Sequence, residues 1–336
     1  MKNIYIHPNA SEKYYSFNPY ITNLNSAVSD YCNVVNRNTK SNNGILHLLG
    51  YLPKVDYIWF NWIEDLPDKS KGYLQTLVLI FILFYCKLTS KKIIWTLHNK
   101  FSHYKKNHHI KRFLFRLLMK QSDFILTHST EGVEFAATFG NKVKAKTKFL
   151  HHPVSGNYNV AIKPKTTDIL IWGSIIPYKG IDLFLDYLWS HKLDEKWTIR
   201  IVGKIRDAAY KEKLMGLTNP GIVVEDKFVD NEELKHEIES ARCVLYTYLK
   251  DSVLSSGAVM DSIMMGARVI GPQCGAFADL KNDGVIETYS TYEELMKILH
   301  SLKNNSDETD RSKITGFIAG NTWESFGRNV ASWLKF

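Results

Sequence analysis

Short apolar runs and longer amphipathic stretches alternate along the whole chain of 336 residues. Runs such as KNIYIH, DYIWFNW, IIWTLH and DILIW have the length and apolar content of buried strands, and helical periodicity follows each of them. Strands that alternate with helices predict parallel sheets built from right-handed strand–helix–strand units. The chain holds too many such units for one small core. We therefore predict an α/β protein in which two Rossmann-like domains face a central cleft.

One polar stretch, SGNYNVAIKPKTTD, interrupts this alternation, because it contains proline and shows no periodicity. We take it as a linker and divide the chain into residues 1–155, 156–318 and 319–336. The last segment has Trp323, Phe326, Val330 and Trp333 on one side of a helix. We expect this helix to pack across the domains.

Three features of the sequence favour a cytoplasmic protein. Its four cysteines are far apart and form no CxxC motif, as in reduced proteins rather than in disulfide scaffolds or zinc sites. The N-terminus, MKNIYIHPNA, lacks the apolar core of a signal peptide. Residues 74–88 are mostly apolar, but the run is shorter than the roughly 20 residues of a membrane span. We expect a buried helix there.

Positive charge is concentrated in the first half of the chain. Residues 1–155 contain 21 Lys and Arg against 9 Asp and Glu, whereas the whole chain has a net charge of +9. In KKNHHIKRFLFRLLMK the apolar residues recur at helical spacing, which predicts a core-facing stripe and an opposite cationic face. Anionic headgroups attract each such cation by about 1 kcal/mol, so this face predicts peripheral attachment to the inner face of the cell membrane. The stripe is Ile110, Phe113, Leu114, Leu117 and Leu118, and the predicted membrane-surface residues are Lys105, Lys106, Lys111, Arg112 and Arg116.

Three loops in the second half follow predicted strands and are small or cationic. Gly173 opens GSIIPYKG, Lys204 ends IVGK, and SSGA precedes a helix with an apolar face. A helix N-terminus offers unpaired N–H groups and the positive end of its dipole, which suit a phosphate. Simple capping of that helix by Ser255 or Ser256 remains an alternative. Because ligands of open parallel sheets bind beyond the carboxyl ends of the strands, the three loops together predict an anion site.

The order and spacing of these motifs resemble the GT-B glycosyltransferases, and more narrowly the nucleotide-sugar transferases in and around glycosyltransferase family 4. The motifs are GSIIPYKGID, VGK, FVDNEEL, YTYLKDSVLSSGA and GPQCGAFADL in the second half, and the NPY loop, DYIWFNW, IIWTLHN and SDFILTHS in the first. The resemblance implies an N-terminal acceptor domain and a C-terminal donor domain. It implies a hexosyltransferase that uses a nucleotide diphosphate sugar, needs no metal or other cofactor, and serves surface polysaccharide biosynthesis.

The resemblance also implies roles for single residues. Lys179 and the amides of the SSGA loop would hold the donor diphosphate, and Asp261 would bind the ribose. Val253 stands where the family has a glutamate, and Ser174 where it has an arginine; Asp251 and either Lys204 or Lys250 are candidate replacements. The predicted donor-binding residues are Gly173, Ser174, Lys179, Lys204, Phe228, Val229, Tyr248, Asp251, Ser255, Ser256, Gly257, Ala258 and Asp261.

Candidate catalytic and acceptor-binding residues lie in the first half. His98, in TLHN, matches a family histidine near the donor sugar, although a strand-end histidine bonded to a backbone carbonyl would look the same. Glu64 follows a strand and is a candidate general base or acceptor ligand, with a surface carboxylate as the alternative. The predicted acceptor-binding residues are Asn9, Tyr14, Asn18 and Tyr20.

Two other functions stay open at this point. A nicotinamide-dependent oxidoreductase would need GxGxxG after an early strand, but the first strand leads into HPNASEKYY. A nucleic-acid or polyanion binding protein would use the basic half, but it would leave the phosphate loops unexplained. We therefore expect three partners: a nucleotide-sugar donor, a glycan or lipid-diphosphate-linked acceptor, and an anionic membrane surface. We expect no nucleic acid.

Overall fold

The computed structural model describes residues 1–11, 19–100, 107–156, 164–249, 253–304 and 311–336. They form two compact units. Unit 1 consists of Met1–Pro153 together with Asn321–Phe336, and unit 2 is the continuous segment Val154–Gly320. The polypeptide therefore leaves unit 1 once and returns to it for its last residues.

Unit 1 is built on a parallel sheet of six strands in the order β2-β1-β3-β4-β5-β6. The strands are β1 Asn3–His7, β2 Asn33–Val34, β3 Tyr57–Asn61, β4 Lys92–Leu97, β5 Phe124–Thr127 and β6 Thr147–Phe149. Its α-helices are α1 Tyr20–Val28, α2 Gly72–Leu88, α3 His108–Gln121, α4 Thr130–Ala137, α5 Asn141–Ala145 and, at the end of the chain, α13 Trp323–Leu334; 3-10 helices span Gly44–Gly50, Leu52–Lys54 and Ile63–Asp68. The strands are apolar on both faces because helices cover both sides of the sheet.

The C-terminal helix α13 completes the core of unit 1. Phe326, Val330 and Leu334 are buried in one cluster with Ile4 and Leu24. Gly327 lies against the α1 backbone so closely that an added Cβ would overlap the carbonyl oxygen of Ala27. The helix therefore packs on α1, and only a glycine permits the contact.

Unit 2 has a second parallel sheet of six strands, in the order β12-β11-β10-β7-β8-β9. The strands are β7 Thr167–Trp172, β8 Ile199–Val202, β9 Ile222–Glu225, β10 Ala241–Leu245, β11 Val269–Pro272 and β12 Glu287–Tyr289. Its α-helices are α6 Ile181–Ser190, α7 Ala208–Met215, α8 Asn231–Ser240, α9 Gly257–Met264, α10 Gly275–Asn282, α11 Tyr292–Asn304 and α12 Arg311–Gly320; 3-10 helices span Pro177–Lys179 and Asp194–Lys196. Numbered within the unit, this is the strand order 3-2-1-4-5-6 of dinucleotide-binding domains.

Two expectations about the helices of unit 1 were wrong. Helix α2 is not buried all round, because large apolar side chains of one face, including Leu77 and Phe84, are exposed. In α3 the buried face is shifted from the predicted stripe: Lys111 and Phe115 are buried, whereas Phe113 is exposed. Within the described ranges, no helix combines the length and the apolar character needed to cross a membrane.

Candidate active site

The loops after β7 and β8 lie side by side at the carboxyl edge of the unit 2 sheet. Gly173 follows β7 with a φ of +99°, and Gly203 follows β8 with a φ of +155°. A Cβ on Gly203 would overlap the carbonyl oxygen of Gly173. The neighbouring strands β7 and β10 mark the point where the strand order reverses, which is where such sheets bind ligands.

Lys179 projects its side chain into this edge of the sheet. The turn at Lys179 and Gly180 is held against the segment that follows β10: Thr247 Oγ1 donates to the Lys179 carbonyl at 2.6 Å, and a Cβ on Gly180 would lie 2.7 Å from the Thr247 carbonyl. The Lys179 side chain is only 6% exposed. Its Nζ donates to the Trp172 carbonyl at 3.3 Å and lies 5.5 Å from the centre of the Tyr248 ring.

The Lys179 ammonium has no counter-ion in the described part of the chain. Burial lowers its pKa from 10.5 to about 8. A buried charge is costly unless an opposite charge or hydrogen bonds compensate it, and one carbonyl at 3.3 Å compensates it poorly. This environment is typical of a cation that receives an anionic ligand.

The N-terminus of α9 is open next to this lysine. Ser256 occupies the N-cap position, but its hydroxyl does not cap the helix and lies 3.1 Å from Tyr248 Oη instead. Among the residues described, nothing accepts from the backbone N–H groups of Gly257 and Ala258. Capping by Ser256 is therefore not what the SSGA loop does, and its amides are available to an anion.

A buried network fixes the first turn of α9. Tyr246 Oη donates to the Ala258 carbonyl at 2.7 Å and lies 2.9 Å from Ser262 Oγ, which also accepts from Trp172 Nε1 at 2.8 Å. The network joins the ends of β7 and β10 to α9. We did not predict it from the sequence, because its members come from three separate segments.

The other predicted donor residues differ in their environments. The Asp261 carboxylate has no hydrogen-bond or ion-pair partner among the described residues, and burial raises its pKa to about 6. Lys204 forms an ion pair with Asp226 at 3.0 Å and shares that carboxylate with Lys211, which lies 2.8 Å from it. Phe228 is 73% exposed, whereas Val229 packs against the core. Ser174 is exposed, Ser255 is half-buried, and Asp251 lies outside the described residues.

Polar side chains follow the strands of unit 1 at the corresponding edge. Asn61 ends β3, and His98, His128 and His152 follow β4, β5 and β6. His98 stacks on Trp62 with 4.3 Å between ring centres, and its Nε2 lies 3.2 Å from Asn61 Oδ1. Burial lowers the pKa of His98 well below its ordinary value, so the imidazole is neutral at physiological pH.

Tyr20 connects this histidine cluster through a defined hydrogen bond. Its Oη lies 2.8 Å from His128 Nε2, and His128 Nδ1 lies 2.8 Å from the Leu150 carbonyl. Since a carbonyl only accepts, Nδ1 carries the proton and Nε2 accepts from the tyrosine. The Tyr20 ring also meets His98 edge-to-face at 5.0 Å. The phenol predicted to bind an acceptor is therefore engaged within the cluster, and burial lowers the pKa of His128 to about 3 and of His152 to about 4.

Glu64 is not the surface carboxylate of the alternative interpretation. It lies in the 3-10 helix Ile63–Asp68, is only 4% exposed, and accepts from Trp95 Nε1 at 3.4 Å. Burial, and then the negative charge of Asp65, raise its pKa to about 8. Glu64 is therefore mostly protonated at neutral pH and can donate a proton.

Lys111, predicted to face a membrane, lies beside this glutamate's loop instead. Its side chain is buried and forms ion pairs with Asp65 at 3.8 Å and with Asp68. Arg112 and Arg116, by contrast, are exposed. This corrects one member of the predicted cationic face.

The remaining predicted residues fall into two groups. Asn9 stabilises its own loop, since its Oδ1 accepts from the backbone N–H of Ser11 at 3.0 Å and its Nδ2 donates to Thr39 Oγ1 at 3.0 Å. Four others lie outside the described residues: Tyr14, Asn18, Lys105 and Lys106. No group of three or more His, Cys, Asp or Glu side chains within the described ranges is placed to hold a metal ion.

Solved structures share this architecture over most of the chain. HepE of Anabaena, in complex with UDP and glucose, is 12% identical with a TM-score of 0.65, and the match covers 100% of both chains. The two-sheet arrangement extends along the full length of both proteins. The chain has the GT-B fold. No protein-family model and no curated protein sequence matches it.

Further GT-B structures match at similarly low identity. The lipopolysaccharide outer core galactosyltransferase WaaB is 13% identical with a TM-score of 0.64, and 99% of each chain is covered. The catalytic domain of starch synthase IV from Arabidopsis thaliana, bound to ADP and acarbose, is 12% identical with a TM-score of 0.58 over 85% of this chain and 74% of that one. These matches confirm the predicted fold class, while the narrower resemblance to family 4 stays a prediction.

Proposed function

We propose that the protein is a glycosyltransferase that moves a hexose-type sugar from a nucleotide diphosphate sugar to a glycan or lipid-linked acceptor. The observation that carries the proposal is the buried Lys179 ammonium, which has no carboxylate partner in the described residues and lies near the open N-terminus of α9. Proteins of the same fold support it: the HepE structures contain UDP, and WaaB is a galactosyltransferase.

In this proposal the unit 2 site stabilises the departing nucleotide diphosphate. The Lys179 ammonium and the N–H groups of Gly257 and Ala258 are positioned before the reaction, so they can interact with the developing negative charge without reorganisation. The Asp261 carboxylate, which has no described protein partner, is available to the ribose hydroxyls, and the exposed ring of Phe228 is available to the base.

Unit 1 contributes the acceptor side of the proposed reaction. In a neutral His98 the Nε2–H donates to Asn61 Oδ1, so Nδ1 is left to accept a hydrogen bond from a sugar hydroxyl. A protonated Glu64 can donate one. We include in the proposal a role in surface polysaccharide biosynthesis at the inner face of the cell membrane. The excess of cations in residues 1–155 supports the location at the membrane.

A thermal-shift panel of UDP-, GDP-, ADP- and CMP-sugars tests the donor assignment. A ligand at a hundred times its Kd stabilises the folded protein by about 2.7 kcal/mol, which raises Tm measurably. We expect one nucleotide class to protect the wild type and to protect a Lys179→Met variant much less. The exposed Lys192 offers the matched control, Lys192→Met. If none of the nucleotide sugars changes Tm, the proposed function is wrong.

A further inference from the structure

Helix α2 of unit 1 exposes a continuous apolar face. Six large side chains, each between 49% and 68% exposed, lie within an arc of about 100° at the helical rotation of about 100° per residue. The six are Tyr73, Leu74, Leu77, Phe81, Phe84 and Leu88. The opposite side of the helix, including Leu79, Ile82 and Leu83, is buried against unit 1. A helix that is apolar on both sides needs cover for its outer side.

A cationic surface adjoins this apolar face. The chain passes from β3 through α2, β4 and α3 to β5 in one direction along the sheet, so right-handed connections place α2 and α3 next to each other on one side. Tyr73 Oη donates to Asn107 Oδ1 at 3.0 Å, at the start of α3. The outward residues of α3 include Arg112, Phe113, Arg116 and Lys120. We call the six α2 residues together with these four the α2–α3 face.

The charges of this face determine which partner it suits. The sequences of α2 and α3 contain no aspartate or glutamate, so the outward cations have no acidic neighbours on the same helices. A self-contact of two α2–α3 faces would bring like charges together without compensation. An anionic bilayer matches the pattern, because acyl chains cover apolar side chains while headgroup phosphates pair with adjacent lysines and arginines.

We infer that α2 lies in the headgroup–acyl boundary of an anionic membrane, with its outward apolar residues inserted and the α3 cations on lipid phosphates. The inference rests on the membrane attachment included in the proposed function and names the helix that makes it. With 17 residues, α2 lies along the surface rather than across the bilayer.

Vesicle co-sedimentation of the full chain tests the inference without any sugar nucleotide. We expect binding to vesicles of equal parts phosphatidylcholine and phosphatidylglycerol, and little binding to phosphatidylcholine alone. Leu77→Ser combined with Phe84→Ser should weaken binding at least about ten-fold, because each buried apolar side chain contributes that order of affinity. Arg112→Gln combined with Arg116→Gln should weaken it further with each lost cation, by about five-fold per residue.

Matched controls come from unit 2. Leu183 is also an exposed leucine on a helix, and Lys192 and Lys297 are exposed cations. Leu183→Ser and the pair Lys192→Gln with Lys297→Gln should bind vesicles as the wild type does. All variants change exposed side chains, so their Tm should match the wild type and should rise equally with the protecting nucleotide. Failure of vesicle binding with intact nucleotide protection would therefore overturn this inference and leave the donor assignment standing.

A fluorescent label provides a second, independent measurement. The four native cysteines are buried, so Leu77→Cys introduces the accessible thiol for an environment-sensitive dye. We expect its emission to shift to the blue on anionic vesicles, whereas a dye on Leu183→Cys should not respond. The inference is refuted if the Leu77 label stays in water. It is also refuted if the wild type is a dimer that Leu77→Ser with Phe84→Ser converts to a monomer, because the face would then bind a second copy.

Discussion

Replacing Lys179 by methionine is expected to stabilise the free protein and to weaken nucleotide binding. Burial lowers the lysine pKa from 10.5 to about 8, so keeping the ammonium charged in the folded protein costs about 3 kcal/mol. The whole cost is present below about pH 8, where folded and unfolded chains are both protonated. Above it the folded protein loses the proton first, and the cost disappears by about pH 10.5. Lys179→Met should therefore raise the free energy of unfolding by up to about 3 kcal/mol at neutral pH, and less as the pH rises.

The nucleotide affinity of the wild type should fall with pH over the same range in which its stability rises. A bound diphosphate favours the ammonium, so the wild-type Kd should rise by up to about ten-fold per pH unit above about pH 8. A hydrogen bond to a charged group contributes about 1.5 to 3 kcal/mol, so Lys179→Met should weaken binding roughly 10- to 100-fold with no such pH dependence. Lys179→Arg keeps its charge at all these pH values and should also lose the dependence.

Two measurements check this prediction: chemical denaturation of the free protein at several pH values, and calorimetric titration with whichever nucleotide diphosphate protects best in the thermal panel. Lys192→Met, at an exposed lysine after α6, is the control and should change neither result. Wild-type affinity and an unchanged pH profile in Lys179→Met would show that this ammonium does not contact the ligand. The reasoning from its burial would then fail.

Three further results are expected. Gly203→Ala should destabilise the protein by about 3 kcal/mol or more in denaturant titration, because the Cβ would overlap the Gly173 carbonyl. The control is Gly216→Ala, which should change stability by less than about 1 kcal/mol because the φ of Gly216 is −69°. Burial raises the Glu64 pKa to about 8, so the wild type loses stability as the pH rises from about 4.5 to 8. Glu64→Gln, neutral throughout, should become more stable relative to the wild type across that window, and parallel Tm curves would contradict this. His98→Ala should lower kcat more than it raises the donor KM, and steady-state kinetics with the reverse result would remove His98 from the catalytic site.

The alternation of strands and helices could be predicted because both sheets are parallel. Parallel strands buried on both faces give continuous apolar runs such as ILIW, and the carboxyl ends of such strands share one edge. The loops at Gly173, Lys179 and Ser256 could therefore be assigned to one region before the fold was known.

Contacts between distant residues could not be predicted in the same way. The sequence does not distinguish Lys111 from the other cations of α3, because nothing in this helix indicates that Lys111 forms ion pairs with Asp65 and Asp68. The hydrogen bond between Tyr20 and His128 joins residues 108 positions apart. The burial of α2 was also predicted wrongly, because the sequence of an apolar face is the same whether a protein core or another partner covers it. Each of these features depends on tertiary placement rather than on local pattern.

The division of the chain has a consequence for the order in which the protein is made. Unit 2 is one uninterrupted segment, so all of its residues have been synthesised by Gly320. Unit 1 begins before unit 2, yet Phe326, Val330 and Leu334 fill its core only after translation of α13. Unit 1 is thus completed after unit 2 although it starts earlier, and a chain that stopped at Gly320 would leave α1 uncovered while keeping unit 2 whole.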